Sequence, residues 1–202
     1  MGDVEQHLAT KIFLIWKDGL LEIPEYADEI NYFRKLLTAP PDVTKEMFFR
    51  EYSYVVINSG WKQQIANKYH EKFMKSKDPS IFIRHPLKYP ALTALLSNCN
   101  SWYAKYMESR NKLEYVRSLP MMGGDALGYH LARNLGIDCV KPDRWLIRLS
   151  KSFEFKTPYD MCVRVQTDIN NSEKLGVIDL VFWRGSNIGL ADVIIDRSSK
   201  RR

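Results

Sequence analysis

Cysteine is scarce in this chain of 202 residues: Cys99, Cys139 and Cys162 are odd in number and widely spaced. They can build neither a disulfide framework nor a four-cysteine zinc or iron–sulfur site, which leaves buried free thiols as the reading. The four histidines have no metal-ligand spacing, so no metal is expected. No apolar run approaches the roughly 18 residues of a membrane span. The opening MGDVEQHLATK lacks the basic start and apolar stretch of a secretory signal. A cytoplasmic protein without a membrane partner is the expectation. Repeats and low-complexity linkers are also missing.

Apolar material is plentiful. A hydrophobic fraction of 45% with 12% aromatics is enough to bury a core, and the length suits one domain of two small lobes over residues 1–202, folding alone as a monomer. The formal charge is +6, but the closing RSSKRR supplies four of those positive charges. A basic tail on a nearly balanced body admits a polyanionic partner, and equally reads as a solvated end.

The hydrophobic spacing predicts helices almost throughout. HLATKIFLIWKDGLLE (7–22) and PEYADEINYFRKLLTA (24–39) carry apolar residues three and four apart. Thr44 is placed to cap KEMFFREYSYVVIN, which is apolar nearly all round and so reads as a buried central helix. NSG (58–60) breaks it. Two or three shorter helices are expected through 87–110, interrupted at Pro86 and Pro90, with a lobe boundary near Asn100. VIDLVF (177–182) is short enough for a strand but lacks a hairpin partner. The fold class is all-α.

LPMMGG (119–124) joins a helix over 111–118 to one over 125–135, a helix-hairpin-helix. Glycines there leave backbone N–H groups open to an anion such as a nucleic-acid phosphate, and a plain helix corner would look similar. Further on, Asp143 follows Pro142 and is placed as the N-cap of a helix over 144–152. A capping carboxylate beside a cleft offers a fixed negative charge to chemistry that develops a cation.

LPMMGGDALGYHL followed by KPDRWLIRL resembles the helix-hairpin-helix (HhH-GPD) DNA glycosylase superfamily that includes endonuclease III. That family's hairpin reads approximately LPGVGxKTA, with an aspartate 18 residues beyond the lysine. Asp143 lies 18 residues beyond Asp125. Leu119, Pro120 and Gly123 match the hairpin, and Leu146, Arg148 and Leu149 match the helix after the aspartate. More faintly, 48–73 is similar to the family's buried helix, wedging turn and following helix. The resemblance covers most of 45–153, while 1–44 rests on lobe architecture alone.

The resemblance implies a two-lobed helical fold with an interlobe cleft, a hairpin at 111–136 and a catalytic helix starting at 142–152. It implies double-stranded DNA as partner, a flipped nucleotide, and hydrolysis of the bond between base and sugar. Asp143 would stabilise the oxocarbenium-like sugar and activate water. Asp125, Tyr129 and Trp61 are candidates for the base pocket: Tyr129 to stack on the base, Asp125 to accept from its amino group, Trp61 to fill the gap in the duplex. Asn58, Ser59, Met122, Gly123, Gly124 and Lys141 are candidates for DNA contact. No cofactor is implied beyond a monovalent cation at the hairpin.

Two departures from the family pattern matter. Met121 stands at the first hairpin glycine and tolerates positive φ poorly, so a differently shaped loop is expected. Asp125 stands where strand-cleaving members carry an amine, and a carboxylate cannot form a Schiff base, so no lyase activity is expected. Lys141 is not at the matching position. Trp145, His130 and Trp183 read as packing residues. Two other readings remain open: a non-catalytic hairpin module whose Asp143 only caps a helix, and a glycosylase-derived enzyme acting on hypermodified pyrimidines of phage DNA.

Overall fold

Thr44 starts the helix that organises the middle of the chain. Its hydroxyl accepts the Met47 N–H at 3.1 Å and caps α3, Lys45–Asn58. Phe48, Tyr52, Val55 and Val56 follow at helical spacing and all are fully buried, so α3 is a central helix as its composition requires. The computed structural model describes residues 7–124 and 126–192. Asp125 and the RSSKRR tail lie outside the described residues.

Among the described residues there are ten α-helices, one short 3-10 helix and no strand. None of these helices is long and apolar enough to cross a membrane. The chain divides into two units: Pro41–Ile137, and the segments before and after it.

The first unit contains α3, α4 (Gln63–Ser76), the 3-10 turn Pro79–Phe82, α5 (Lys88–Glu108), α6 (Lys112–Ser118) and α7 (Leu127–Asn134). α3 packs against α4, α5 and α7. The expected breaks inside 87–110 and the boundary near Asn100 are not there, because α5 runs unbroken through Asn100. Pro90 sits in its first turn, where a missing N–H breaks no helical bond. Farther along, Thr93, Ser97 and Asn98 turn their side chains onto the carbonyls of Tyr89, Thr93 and Ala94, four residues back, and so stay within the helix. α6 begins with a reciprocal cap: Asn111 Oδ1 accepts the Glu114 N–H at 3.1 Å, and Glu114 Oε2 accepts from Asn111 Nδ2.

Lys88 is the unexpected core residue. It is fully buried, donates to the Ile57 carbonyl at 2.7 Å, and lies 3.5 Å from the Trp61 ring centre. Burial pushes its amine down to about 8 from an ordinary 10.5. Between those values Lys88 is protonated in the unfolded chain and neutral in the folded one, so its own contribution to stability rises with pH from about 8 to about 10. The slope is at most about 1.4 kcal/mol per pH unit, the figure for one proton. The buried Cys162 thiol, held well above its ordinary value, acts in the opposite direction from about pH 9, and the Tyr106 phenol, pushed up to about 12, does so above about pH 10. In urea unfolding between pH 8 and about 9.5, the native chain should gain stability relative to Lys88→Met.

The second unit contains α1 (Leu8–Leu21), α2 (Pro24–Thr38), α8 (Arg144–Ser152), α9 (Pro158–Asp168) and α10 (Leu175–Asn187). VIDLVF lies inside α10, which packs against all four others. A helix surrounded on every side needs no polar face, so a continuous apolar run serves it as well as it would a buried strand. Phe182 meets Phe13 and Trp16 at ring-centre distances of 5.8 and 6.0 Å. Asp168 accepts from the His7 N–H and the Thr10 hydroxyl and pairs with Arg164, tying the start of α1 to α9.

Candidate active site

The VKPD segment carries the candidate catalytic carboxylate, and α10 holds that segment. Asp138 Oδ1 accepts the Gly176 N–H at 2.8 Å. The fully buried Asp179 carboxylate accepts the Lys141 backbone N–H in a short contact. Just beyond these anchors the Asp143 N–H reaches back to the Lys141 carbonyl at 2.8 Å, a γ-turn closed over Pro142. Asp143 then caps α8 as its position after Pro142 predicts. A single oxygen, Oδ1, accepts the N–H groups of Trp145 at 2.9 Å and Leu146 at 3.1 Å.

This division of labour leaves Oδ2 outside the cap. Lys141 Nζ lies 3.4 Å from it, with both side chains largely buried at 13% and 14% exposure. The ammonium also faces the Trp183 ring at 5.2 Å, and Arg184 faces the same ring at 4.8 Å. Lys141 is therefore not the solvent- or phosphate-facing lysine that its sequence position suggests, because its charge is engaged beside Asp143. Burial, then the neighbouring Asp179 and Asp138 charges, push the Cys162 thiol well up, which removes it as a nucleophile. Cys139 is also buried, and Cys99 is half-buried.

α8 adds positive charge on its outer face. Arg144, Arg148 and Lys151 are exposed at spacings of four and three, one stripe along the helix. Both guanidinium groups lie near the Trp145 ring, at 5.4 and 5.5 Å. Trp145, read from sequence as packing, is only half-buried and lies beneath these cations.

The hairpin belongs to the other unit. Leu119 and Met122 close its turn by a 2.9 Å hydrogen bond, and Tyr52 donates to the Pro120 carbonyl at 2.8 Å, fastening the turn to α3. Met122, a candidate for DNA contact, has a fully buried side chain and spends its N–H on this turn. It is a core residue. Gly123 and Gly124 are exposed, their φ values are not positive, and a Cβ on either would meet no atom closer than 3.6 Å. The fold therefore does not require glycine at these two positions, whereas a ligand approaching the backbone would.

Met121 takes φ +64°, so the loop adopts the left-handed backbone despite the side chain. Met121→Gly should relieve that strain. Allowing for the extra freedom of glycine in the unfolded chain, it should raise stability by about 0.5–1 kcal/mol, read as a higher thermal midpoint.

Of the base-pocket candidates, Tyr129 and Trp61 are among the described residues. Asp125 lies outside the described residues. Tyr129 is half-buried with the Arg117 guanidinium 4.8 Å from its ring centre, so one face is already covered. Trp61 packs at 5.0 Å from Tyr69 and 5.8 Å from Phe82, with Lys88 on its face. It is thus held in an aromatic cluster instead of projecting as a free wedge. Asn58 and Ser59 form the same turn, and the Ser59 hydroxyl donates back to Val56 at 2.9 Å.

Sequence reasoning missed Asp179, Lys88 and Gly128. Asp179, a lone acid inside an apolar run, was the detectable signal; the other two depend on which helices meet. Among the described residues no group of three or more His, Cys, Asp or Glu is gathered as a metal site. No family model, curated protein or solved structure matches this chain.

Proposed function

We propose that the chain is a monofunctional DNA glycosylase that extrudes one modified nucleotide from a duplex and hydrolyses its bond to the sugar. The observation that carries this reading is the asymmetry of Asp143: Oδ1 is fixed by two helix N–H groups, while Oδ2 is free of the cap. Departure of the base leaves positive charge on the deoxyribose ring. A carboxylate already oriented by its cap can stabilise that charge without reorganising, and can orient or deprotonate the attacking water. The Arg144, Arg148 and Lys151 stripe beside it suits the phosphate backbone, as do the Gly123 and Gly124 amides. Asp125 at the amine position and Lys141 engaged in an ion pair both favour hydrolysis over Schiff-base chemistry.

The two-lobed HhH-GPD fold belongs to the same proposal, resting on the hairpin and the spaced aspartate. The test is mass spectrometry of free bases after incubation with duplexes carrying alkylated, deaminated, oxidised or phage-type hypermodified bases. Release of one class names the substrate. Duplex binding with no base released from any class would favour the second reading, a binding module. That reading draws support from the Lys141 ion pair, which gives Oδ2 a structural partner as well.

A further inference from the structure

α4 ends on a lysine where glycine would be unstrained. Lys77 occupies the left-handed C-cap position at φ 53°. Its Nζ lies 4.4 Å from the Phe49 ring centre and 3.5 Å from Met74 Sδ. Among the described residues no carboxylate forms an ion pair with it. Asp78, its neighbour in sequence, is turned onto Ser80 instead. Lys77 is an exposed residue, and the desolvation its amine does meet holds it below its ordinary range. A cation against an aromatic ring and a thioether, at the edge of apolar surface, lacks an anion.

Beside it opens a cavity of about 300 Å³ within the Pro41–Ile137 unit. Phe49, Met74, Leu96 and Cys99 wall it, and Lys45, Lys77 and Glu46 stand at its rim, leaving one positive charge in excess. Phe49 is stacked on Phe73 and covered by Lys77, so the exposed walls are mostly aliphatic and sulfur-bearing. A nucleic-acid backbone has nothing to fill such a space with. At roughly 30 Å³ for each water-sized group, the cavity of about 300 Å³ holds about ten such groups.

We propose that this cavity binds a medium-chain aliphatic carboxylate, its tail against Phe49, Met74, Leu96 and Cys99 and its head paired with Lys77 and Lys45. Apolar burial supplies the attraction, and the rim lysines select a charged head over a neutral one. The site is independent of the glycosylase reading and involves none of its residues.

Calorimetric titration of the full chain with octanoate and with octanamide tests it. Octanoate should bind saturably at one site, about tenfold tighter than octanamide, the ratio expected when a charge-assisted hydrogen bond replaces a neutral one. Lys77→Met should cut that preference at least about threefold while leaving octanamide within about twofold. Cys99→Trp should fill the cavity and weaken both. Absence of saturable octanoate binding would overturn the proposal. So would equal affinity for acid and amide in the native chain, or unchanged octanoate binding in a folded Cys99→Trp variant.

Discussion

Asp143→Asn should leave the protein folded and bound to DNA while lowering base release by about two to three orders of magnitude. The asparagine side-chain oxygen can still accept the Trp145 and Leu146 N–H groups, so the α8 cap survives. What disappears is the negative charge at Oδ2, the atom outside the cap. Removal of one preorganised group aimed at developing charge typically lowers a rate by about 10²–10³. Asp143→Ala separates the two roles, since it should also lose about 1 kcal/mol of stability with the cap itself. Single-turnover base release, duplex affinity and thermal unfolding, measured on both variants, check the set. Base release undiminished in Asp143→Asn would assign the carboxylate to structure alone.

Gly128→Ala should produce the largest loss of stability among single-methyl changes in the hairpin, about 2–3 kcal/mol. α6 and α7 cross so closely there that an added Cβ would lie 2.5 Å from the Met122 carbonyl and 2.6 Å from Arg117 Cγ. The first obstacle is backbone, fixed in turn by the Leu119 hydrogen bond, so the helices must separate. Separation would also disturb the Arg117–Tyr129 stacking and the hydrogen bond from Asn134 to Glu51 that joins α7 to α3. Gly124→Ala is the control: its Cβ would meet nothing within 4 Å, and stability should change little. Urea unfolding of the two variants should differ by at least about 1.5 kcal/mol.

The same contrast marks what the sequence can and cannot tell. Thr44 and Asp143 are legible as caps because a cap is local: a short polar side chain, a following helix and, for Asp143, a preceding proline specify the geometry. The all-helical character was legible from period alone. Pro90 misled because a proline is tolerated in a first turn and disruptive later, and the residue type does not reveal which turn it occupies. Met122 looked like part of an open loop, yet the Tyr52 bond to Pro120 and the α6–α7 crossing turn its side chain into the core. Lys88, Asp179 and the Lys141–Asp143 ion pair depend on partners 31, 38 and two residues away, and only the last is near enough to be suspected from sequence. Even there, the direction of the lysine side chain follows from Trp183 on α10.

Whether the Asp143 carboxylate stabilises a positively charged sugar can be tested without knowing which base is removed. Duplexes carrying a cationic pyrrolidine in place of one deoxyribose, or the neutral tetrahydrofuran equivalent, differ at that site mainly in charge. The native protein should prefer the cationic duplex by at least about tenfold, as transition-state mimics are preferred, and Asp143→Asn should lose the preference while still binding both. Equal affinity of the native protein for the two duplexes, at the same salt concentration, would contradict it.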